Sequence, residues 1–242
     1  MSEFNENPER SVRVVLTGRE RLPVIVIDSF SQEPGELIRL ATEAVFIEVG
    51  SSYPGVRAPA PQGYVEAMLS AVAPEIEQTF GFPPAHELDL CAFSLVTTAP
   101  ARLTAIQRIP HFDGPDPDRI AFLHYLCAPY QGGTSFYRHR ATGLESVSVK
   151  RVDEYRQVVL AELRSQSPAP DYFVDDTLFF ERVHRVDAAF NRLLIYKGNA
   201  LHSGDITGRT ILSEAPRQGR LTINGFGRLV SRVASGASPD NL

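Results

Sequence analysis

Residues 109–126, IPHFDGPDPDRIAFLHYL, decide how the rest of the chain is read. A short apolar run ends in His111-Phe112-Asp113, a turn rich in Gly, Pro and Asp follows, and an unbroken apolar stretch opens at Ile120. In extended backbone, side chains two apart project from one face, so His111 and Asp113 stand together while Phe112 faces away. A neutral imidazole beside a carboxylate is a poor structural pair unless something cationic lies between them. Beyond this segment the texture stays that of short β runs, at 134–138, 179–186, 192–197 and 220–229, and before it at 88–98 and 103–109. Turn residues separate them, the pattern of a sandwich or barrel. One helical insert interrupts the series, about 141–178, with Tyr155, Val158, Val159 and Leu163 at helical spacing within 152–164.

The N-terminal third reads differently. Residues 1–22 hold a frayed tail and a first strand region, and 23–30 (PVIVIDSF) is a strand. Ser31 is placed to cap a helix with Leu37, Leu40, Ala41 and Ala44 on one face. The proline-rich 51–62 stretch is expected to be loop. A second helix spans about 64–80, stopped by Gly81 and kinked or split by Pro74. The expected organisation is a single domain: a helical support segment over 23–87, a β core over 88–230 and a tail over 231–242. The fold class is mainly β with flanking helices.

A third ligand for His111 and Asp113 must come from a distant strand. His202 follows the 192–197 run (RLLIYK) and sits between Gly198 and Gly204 in a polar loop, where core packing does not explain it. Two histidines and one carboxylate are the ligand set of non-haem Fe(II) oxygenases, which keeps positions open for co-substrate and O₂. The other histidines carry less. His124 points to the face opposite Tyr125 and reads as core or surface. His139, between Arg138 and Arg140, is expected to be solvated, and His86 is uninformative. His184 and Asp187 form a rival pair, but three-residue spacing puts them on opposite faces of a strand.

His111-Phe112-Asp113, then 120–126 (IAFLHYL), Gly132-Gly133-Thr134-Ser135-Phe136 and 191–202 (NRLLIYKGNALH) together resemble the prolyl-hydroxylase-like branch of the Fe(II)/2-oxoglutarate dioxygenases. The resemblance covers roughly residues 88–230. It implies a double-stranded β-helix, a jelly-roll or cupin-like barrel supported by the N-terminal helices. It further implies iron held by His111, Asp113 and His202, with 2-oxoglutarate as co-substrate and O₂ as oxidant. The distal carboxylate of 2-oxoglutarate then needs a buried cation, and a family arginine opening the last core strand falls on Arg220, with Thr222 on the same face. Arg209 and Arg217 are weaker matches and Arg228 is at the wrong end. Tyr125 occupies the position from which prolyl hydroxylases often contact the same carboxylate. Asp113 favours hydroxylation over halogenation, which vacates the carboxylate position in this superfamily.

Tyr53-Pro54-Gly55-Val56-Arg57 precedes the core, where an aromatic, a turn and an arginine make a candidate lid or substrate contact. The plainer reading has Tyr53 stapling the loop and Arg57 solvated. Two alternatives to the oxygenase stay open: a cupin-like isomerase or O₂-only dioxygenase without 2-oxoglutarate, and a non-enzymatic binding module on the same barrel. At 242 residues and 43% hydrophobic the chain suits a globular domain, and no apolar run is long enough for a membrane span. A net charge of −5 without Lys/Arg clusters gives no footprint for nucleic acid. Cys91 and Cys127 read as reduced thiols, hence a cytoplasmic setting. The expected partner is a small-molecule or peptide substrate; its identity and the oligomeric state are not readable.

Overall fold

A computed structural model describes residues 4–50 and 53–230. The tail expected over 231–242 lies outside the described residues. Eleven strands and three helices are described: β1 Ser11–Thr17, β2 Leu22–Asp28, α1 Pro34–Glu43, β3 Ile47–Glu48, β4 Gly55–Pro59, α2 Gln62–Phe80, β5 Leu90–Val96, β6 Arg119–Tyr125, β7 Thr134–His139, α3 Val152–Ser165, β8 Phe180–Val186, β9 Arg192–Lys197, β10 His202–Gly204 and β11 Leu221–Arg228. The protein is mainly β. An eight-stranded sheet runs β1-β2-β9-β6-β11-β5-β4-β3, and a three-stranded sheet runs β10-β7-β8. Every pairing is antiparallel.

Strand alternation sorts the large sheet into two cores. One face carries Ile25, Ile27, Phe93, Leu95, Ile120, Phe122, Leu193, Ile195, Leu221 and Ile223. These pack beneath α1 (Leu37, Ala41) and α2 (Tyr64, Val65, Met68, Leu69, Val72, Ile76). The other face carries Val24, Val26, Ala121, Leu123, Tyr125, Leu194 and Tyr196, which meet Phe136 and Val186 of the small sheet. Because both faces are covered, β2, β6 and β9 read as continuous apolar runs instead of alternating ones. The helix α3 covers the small sheet from outside, where Val152, Tyr155 and Val159 meet Tyr137, Phe173 and Phe180.

Several local expectations change. The tail is not frayed over its described part: Phe4 is buried and meets Tyr64 edge-on at 6.1 Å, while Arg10 pairs with Glu6 and Glu75. The helix α1 is not capped by Ser31, whose backbone N–H donates to Asn191 instead; the helix starts on Pro34 with no side-chain cap. The 51–62 stretch is not all loop. Pro54 precedes β4 and Pro59 ends it, so neither removes a bond from the strand interior, and β4 pairs along β5. Residues 103–109 are not a strand, because Thr104 and Gln107 form a reciprocal capping box that starts a 3-10 turn at Ala105–Arg108. The helix α2 runs unbroken through Pro74. Both cysteines are free. Among the described residues no helix is long and apolar enough to cross a membrane.

Candidate metal centre

The His111–Asp113 segment lies along the outer edge of β10. His111 and His202 exchange two backbone hydrogen bonds, His111 N–H to the His202 carbonyl at 2.9 Å and the reverse at 2.8 Å, and Asp113 N–H donates to the Gly198 carbonyl at 2.7 Å. This antiparallel bridge sets the two imidazoles side by side, ring centres 4.4 Å apart. Phe112 takes the opposite face and packs edge-on against Tyr155 of α3 at 5.9 Å. His111 Nε2 is 3.9 Å from Asp113 Oδ1, and His202 Nε2 is 3.6 Å from Asp113 Oδ2. One ligand atom from each of the three lies within 4.8 Å of the others. Residues 91 positions apart in number have been brought to one point by strand pairing alone.

The donor chemistry fits a divalent transition metal. His202 Nδ1 donates to the Ala200 carbonyl at 3.0 Å, which leaves the Nε2 lone pair facing Asp113. Burial holds His202 down to about 4, so the ring is neutral at pH 7, as ligation requires. Burial, then the neighbouring His202 ring, lowers His111 as well. With 53% of its side chain open, solvent offsets part of that depression. Burial raises Asp113, against the pull of His111, Arg119 and Arg57, and its Oδ2 is buried with no hydrogen-bond partner. A desolvated carboxylate oxygen left unpaired between two neutral imidazoles is costly unless a cation completes it. His202 is not in an open loop as its setting suggests; it is the buried first residue of β10.

Arg220, immediately before β11, is 5% exposed. Its Nε and Nη2 donate to the Gly132 and Gly133 carbonyls, each at 3.1 Å, and its guanidinium sits 5.5 Å over the Tyr125 ring. No carboxylate of the described residues lies within ion-pair reach of it. Gly132 has φ +95, and a Cβ there would fall 1.8 Å from the Asp205 carbonyl oxygen. The turn that presents the two carbonyls therefore depends on glycine. The Tyr125 hydroxyl bonds Thr134 Oγ1 at 2.6 Å, and Thr222 Oγ1 bonds Asn224 Oδ1 at 2.7 Å. Arg209 and Arg217 are exposed, and Arg228 reaches Asp89 and Asp116 outside.

Register extends this inner face further. Arg57 pairs with Ser94, Ser94 with Thr222 and Thr222 with Tyr125, so the four form one row across β4, β5, β11 and β6. Sequence pattern does not single out Ser94, and it gives Thr134 only as part of the Gly132–Phe136 turn; the period-2 pattern of β5, which sends Phe93 and Leu95 to the helical core, is the signal that finds Ser94. Arg57 is half-buried. Its guanidinium lies 4.1 Å over the Tyr53 ring, and its Nε is buried without a partner.

The other histidines stand apart. His124 is fully buried between Tyr64 and Asn191. His139 is not solvated: it is fully buried and meets Glu162 of α3 at 2.7 Å. His184 lies on β8 opposite Phe136, while Asp187 pairs with Arg185. His86 is exposed.

The sequence matches the model of the Family of unknown function (DUF6445) over residues 8–227, and the chain belongs to that family. No curated protein matches it. Among solved structures, the chain is similar to EvdMO1, known as a crystal structure, at 13% identity, with 91% of this chain and 56% of that one covered and a TM-score of 0.38. This chain thus spans little over half the length of EvdMO1. It is also similar to a selenomethionine-labelled Fe(II)/α-ketoglutarate-dependent dioxygenase, TqaL, at 12% identity, with 85% and 77% covered and a TM-score of 0.34.

Proposed function

We propose that the protein is a non-haem Fe(II)- and 2-oxoglutarate-dependent oxygenase of the prolyl-hydroxylase-like branch that hydroxylates a small-molecule or peptide substrate. The observation that carries this is the convergence of His111, Asp113 and His202 on one point, with the Asp113 oxygen buried and unpartnered between two neutral imidazoles. A double-stranded β-helix is supported by the chain path. From β5 the chain visits the large sheet, the His111 edge of the small sheet, β6, then β7 and β8, then β9, β10 and β11. The central order β9-β6-β11-β5 then faces four small-sheet segments, the His111 bridge, β10, β7 and β8. The two unpaired thiols suit a reducing, cytoplasmic setting.

The three ligand residues would hold the iron, which, with 2-oxoglutarate and O₂ bound, supplies the oxidation: co-substrate becomes succinate and CO₂, and one oxygen atom enters a substrate C–H bond. The chain's own part is positional. Arg220, buried and without a counter-ion, offers its free edge to the distal carboxylate of 2-oxoglutarate, and the Gly132 and Gly133 carbonyls fix the guanidinium plane. Tyr125, held by Thr134, and Thr222 line the same face. The apolar inner core of Val24, Val26, Leu194 and Phe136 excludes water behind them.

The test is succinate formation from 2-oxoglutarate with Fe(II), ascorbate and air. Substrate-free turnover in the wild type, lost in His202→Ala and reduced about 10- to 100-fold in Arg220→Gln through loss of a charged contact, is expected. No succinate from the wild type, or turnover indifferent to Arg220→Gln, would remove 2-oxoglutarate from the account.

A further inference from the structure

Arg57 has no role in holding the iron ligands or the co-substrate carboxylate, yet its surroundings are those of a binding group. It projects from β4 on the same face as Ser94, Thr222 and Tyr125, while its neighbours Val56 and Ala58 turn to the opposite core. Its guanidinium is stacked on Tyr53, and its Nε is buried and unbonded. No hydrogen bond or ion pair to any described residue engages the guanidinium. It shares a row with Thr222 and Tyr125, on the face of the large sheet that meets the small sheet carrying His202. Around Tyr53 the wall is apolar, formed by Val96, Leu103, Tyr172 and Ile206.

Resting on the oxygenase reading, we propose that Arg57, seated on Tyr53, binds a carboxylate of the substrate, and that the natural substrate is therefore a carboxylic acid with an apolar body. Charge supports one monoanion. Iron and Asp113 together carry one positive charge, 2-oxoglutarate takes two, and Arg220 restores neutrality. Arg57 is then the excess cation. Asp113 is committed to the metal, and no carboxylate of the described residues forms an ion pair with Arg57, so its half-buried guanidinium is left without a counter-ion. A planar carboxylate matches the fork that stacking on Tyr53 holds in one plane. A phosphate dianion would need a second free cation, and Arg220 is already engaged.

The experiment titrates phenylacetate and phenylacetamide, matched in shape, into anaerobic protein loaded with Fe(II) and 2-oxoglutarate, reading calorimetric heat. Co-substrate binding is measured first in the same samples. The expected result is phenylacetate binding that weakens about 10- to 100-fold in Arg57→Gln, recovers partly in Arg57→Lys and is absent for the amide. Arg57→Gln is also expected to keep or raise Tm without ligand, since it removes a half-buried cation that has no counter-ion. Equal binding of the amide, no binding of phenylacetate, an affinity indifferent to Arg57→Gln, or a Tm several degrees lower in that variant would each overturn the assignment. If 2-oxoglutarate fails to bind the wild type, the oxygenase reading itself is lost and this assignment with it. If 2-oxoglutarate binds but phenylacetate ignores Arg57, only the substrate assignment is lost.

Discussion

His124 makes the acid limb of stability predictable. It lies on β6 next to Tyr125 but faces the helical core, fully buried, between the Tyr64 hydroxyl at 2.9 Å and Asn191 Oδ1 at 3.0 Å. Asn191 Oδ1 can only accept, so Nε2 carries the proton and Nδ1 accepts from Tyr64. Both contacts are satisfied in the neutral ring, and charging it would turn the Tyr64 contact against itself. Burial accordingly pushes His124 down from 6.5 to about 4. A histidine whose folded value is depressed contributes stability that is complete above the unfolded pKa and is lost as pH falls between 6.5 and 4. Proton linkage puts the loss at about 1.4 kcal/mol by pH 5.5 and about 2.6 kcal/mol by pH 4.5. The assay is urea unfolding of wild type and His124→Gln from pH 7.5 to 4.5, both in chelator so that the metal-centre histidines contribute equally and cancel. The variant starts less stable, by about 1–2 kcal/mol for the altered hydrogen bonds, and the two curves converge as pH falls and cross between about pH 6 and pH 5. Parallel curves would show that His124 is not the neutral buried residue the structure describes, and the reasoning would fail.

Asp113→Asn should destroy metal binding yet raise the Tm of the metal-free protein, by an amount equivalent to about 1 kcal/mol. The sign follows from Asp113 being raised by burial: its ionised form costs stability at neutral pH, and the amide removes that cost. Thermal shift with and without Fe(II) checks both halves, and a destabilised apo variant would contradict the orphaned oxygen. Glu162→Ala should cost roughly 1–3 kcal/mol, because it strips the buried His139 Nε2 of its partner and loosens α3 from the small sheet; proteolysis within 141–178 would accelerate if so. Gly133→Ala places a Cβ 2.1 Å from the Val186 carbonyl oxygen. It should abolish co-substrate binding through displacement of the Arg220 acceptors, measured by calorimetry with 2-oxoglutarate, and unaltered affinity would show that the turn does not position Arg220.

Sequence pattern reached the core strands because apolar residues mark them: β6 and β9 are recognisable as the continuous runs IAFLHYL and RLLIYK, and β11 by the alternation of Leu221 and Ile223 in RLTINGFG. It failed where a local motif overrode composition. Thr104 and Gln107 closed a capping box inside an apolar run, and prolines at both ends of Gly55–Pro59 disguised a strand. His139 misled for a different reason: flanking arginines suggested solvent, but Arg138 is itself buried against Glu145 and Glu181, and Glu162 comes from an insert whose docking no local pattern records. At the candidate site, the spacing of His111 and Asp113 was enough to place them on one face. The backbone bridge to His202, the Ala200 acceptor behind it and the row from Arg57 to Tyr125 are products of strand register. Register is set by pairing across the sheet, so it is not written in any single segment.

The central claim is a metal chelate at His111, Asp113 and His202 with 2-oxoglutarate seated against Arg220. Anaerobic titration of metal-free protein with Fe(II) and then 2-oxoglutarate tests it most directly, through the weak visible charge-transfer absorption of an iron–keto-acid chelate. The account predicts a saturable band in the wild type that His202→Ala abolishes and Arg220→Gln shifts to higher co-substrate concentration. No band in the wild type, or an undiminished band in His202→Ala, would contradict it.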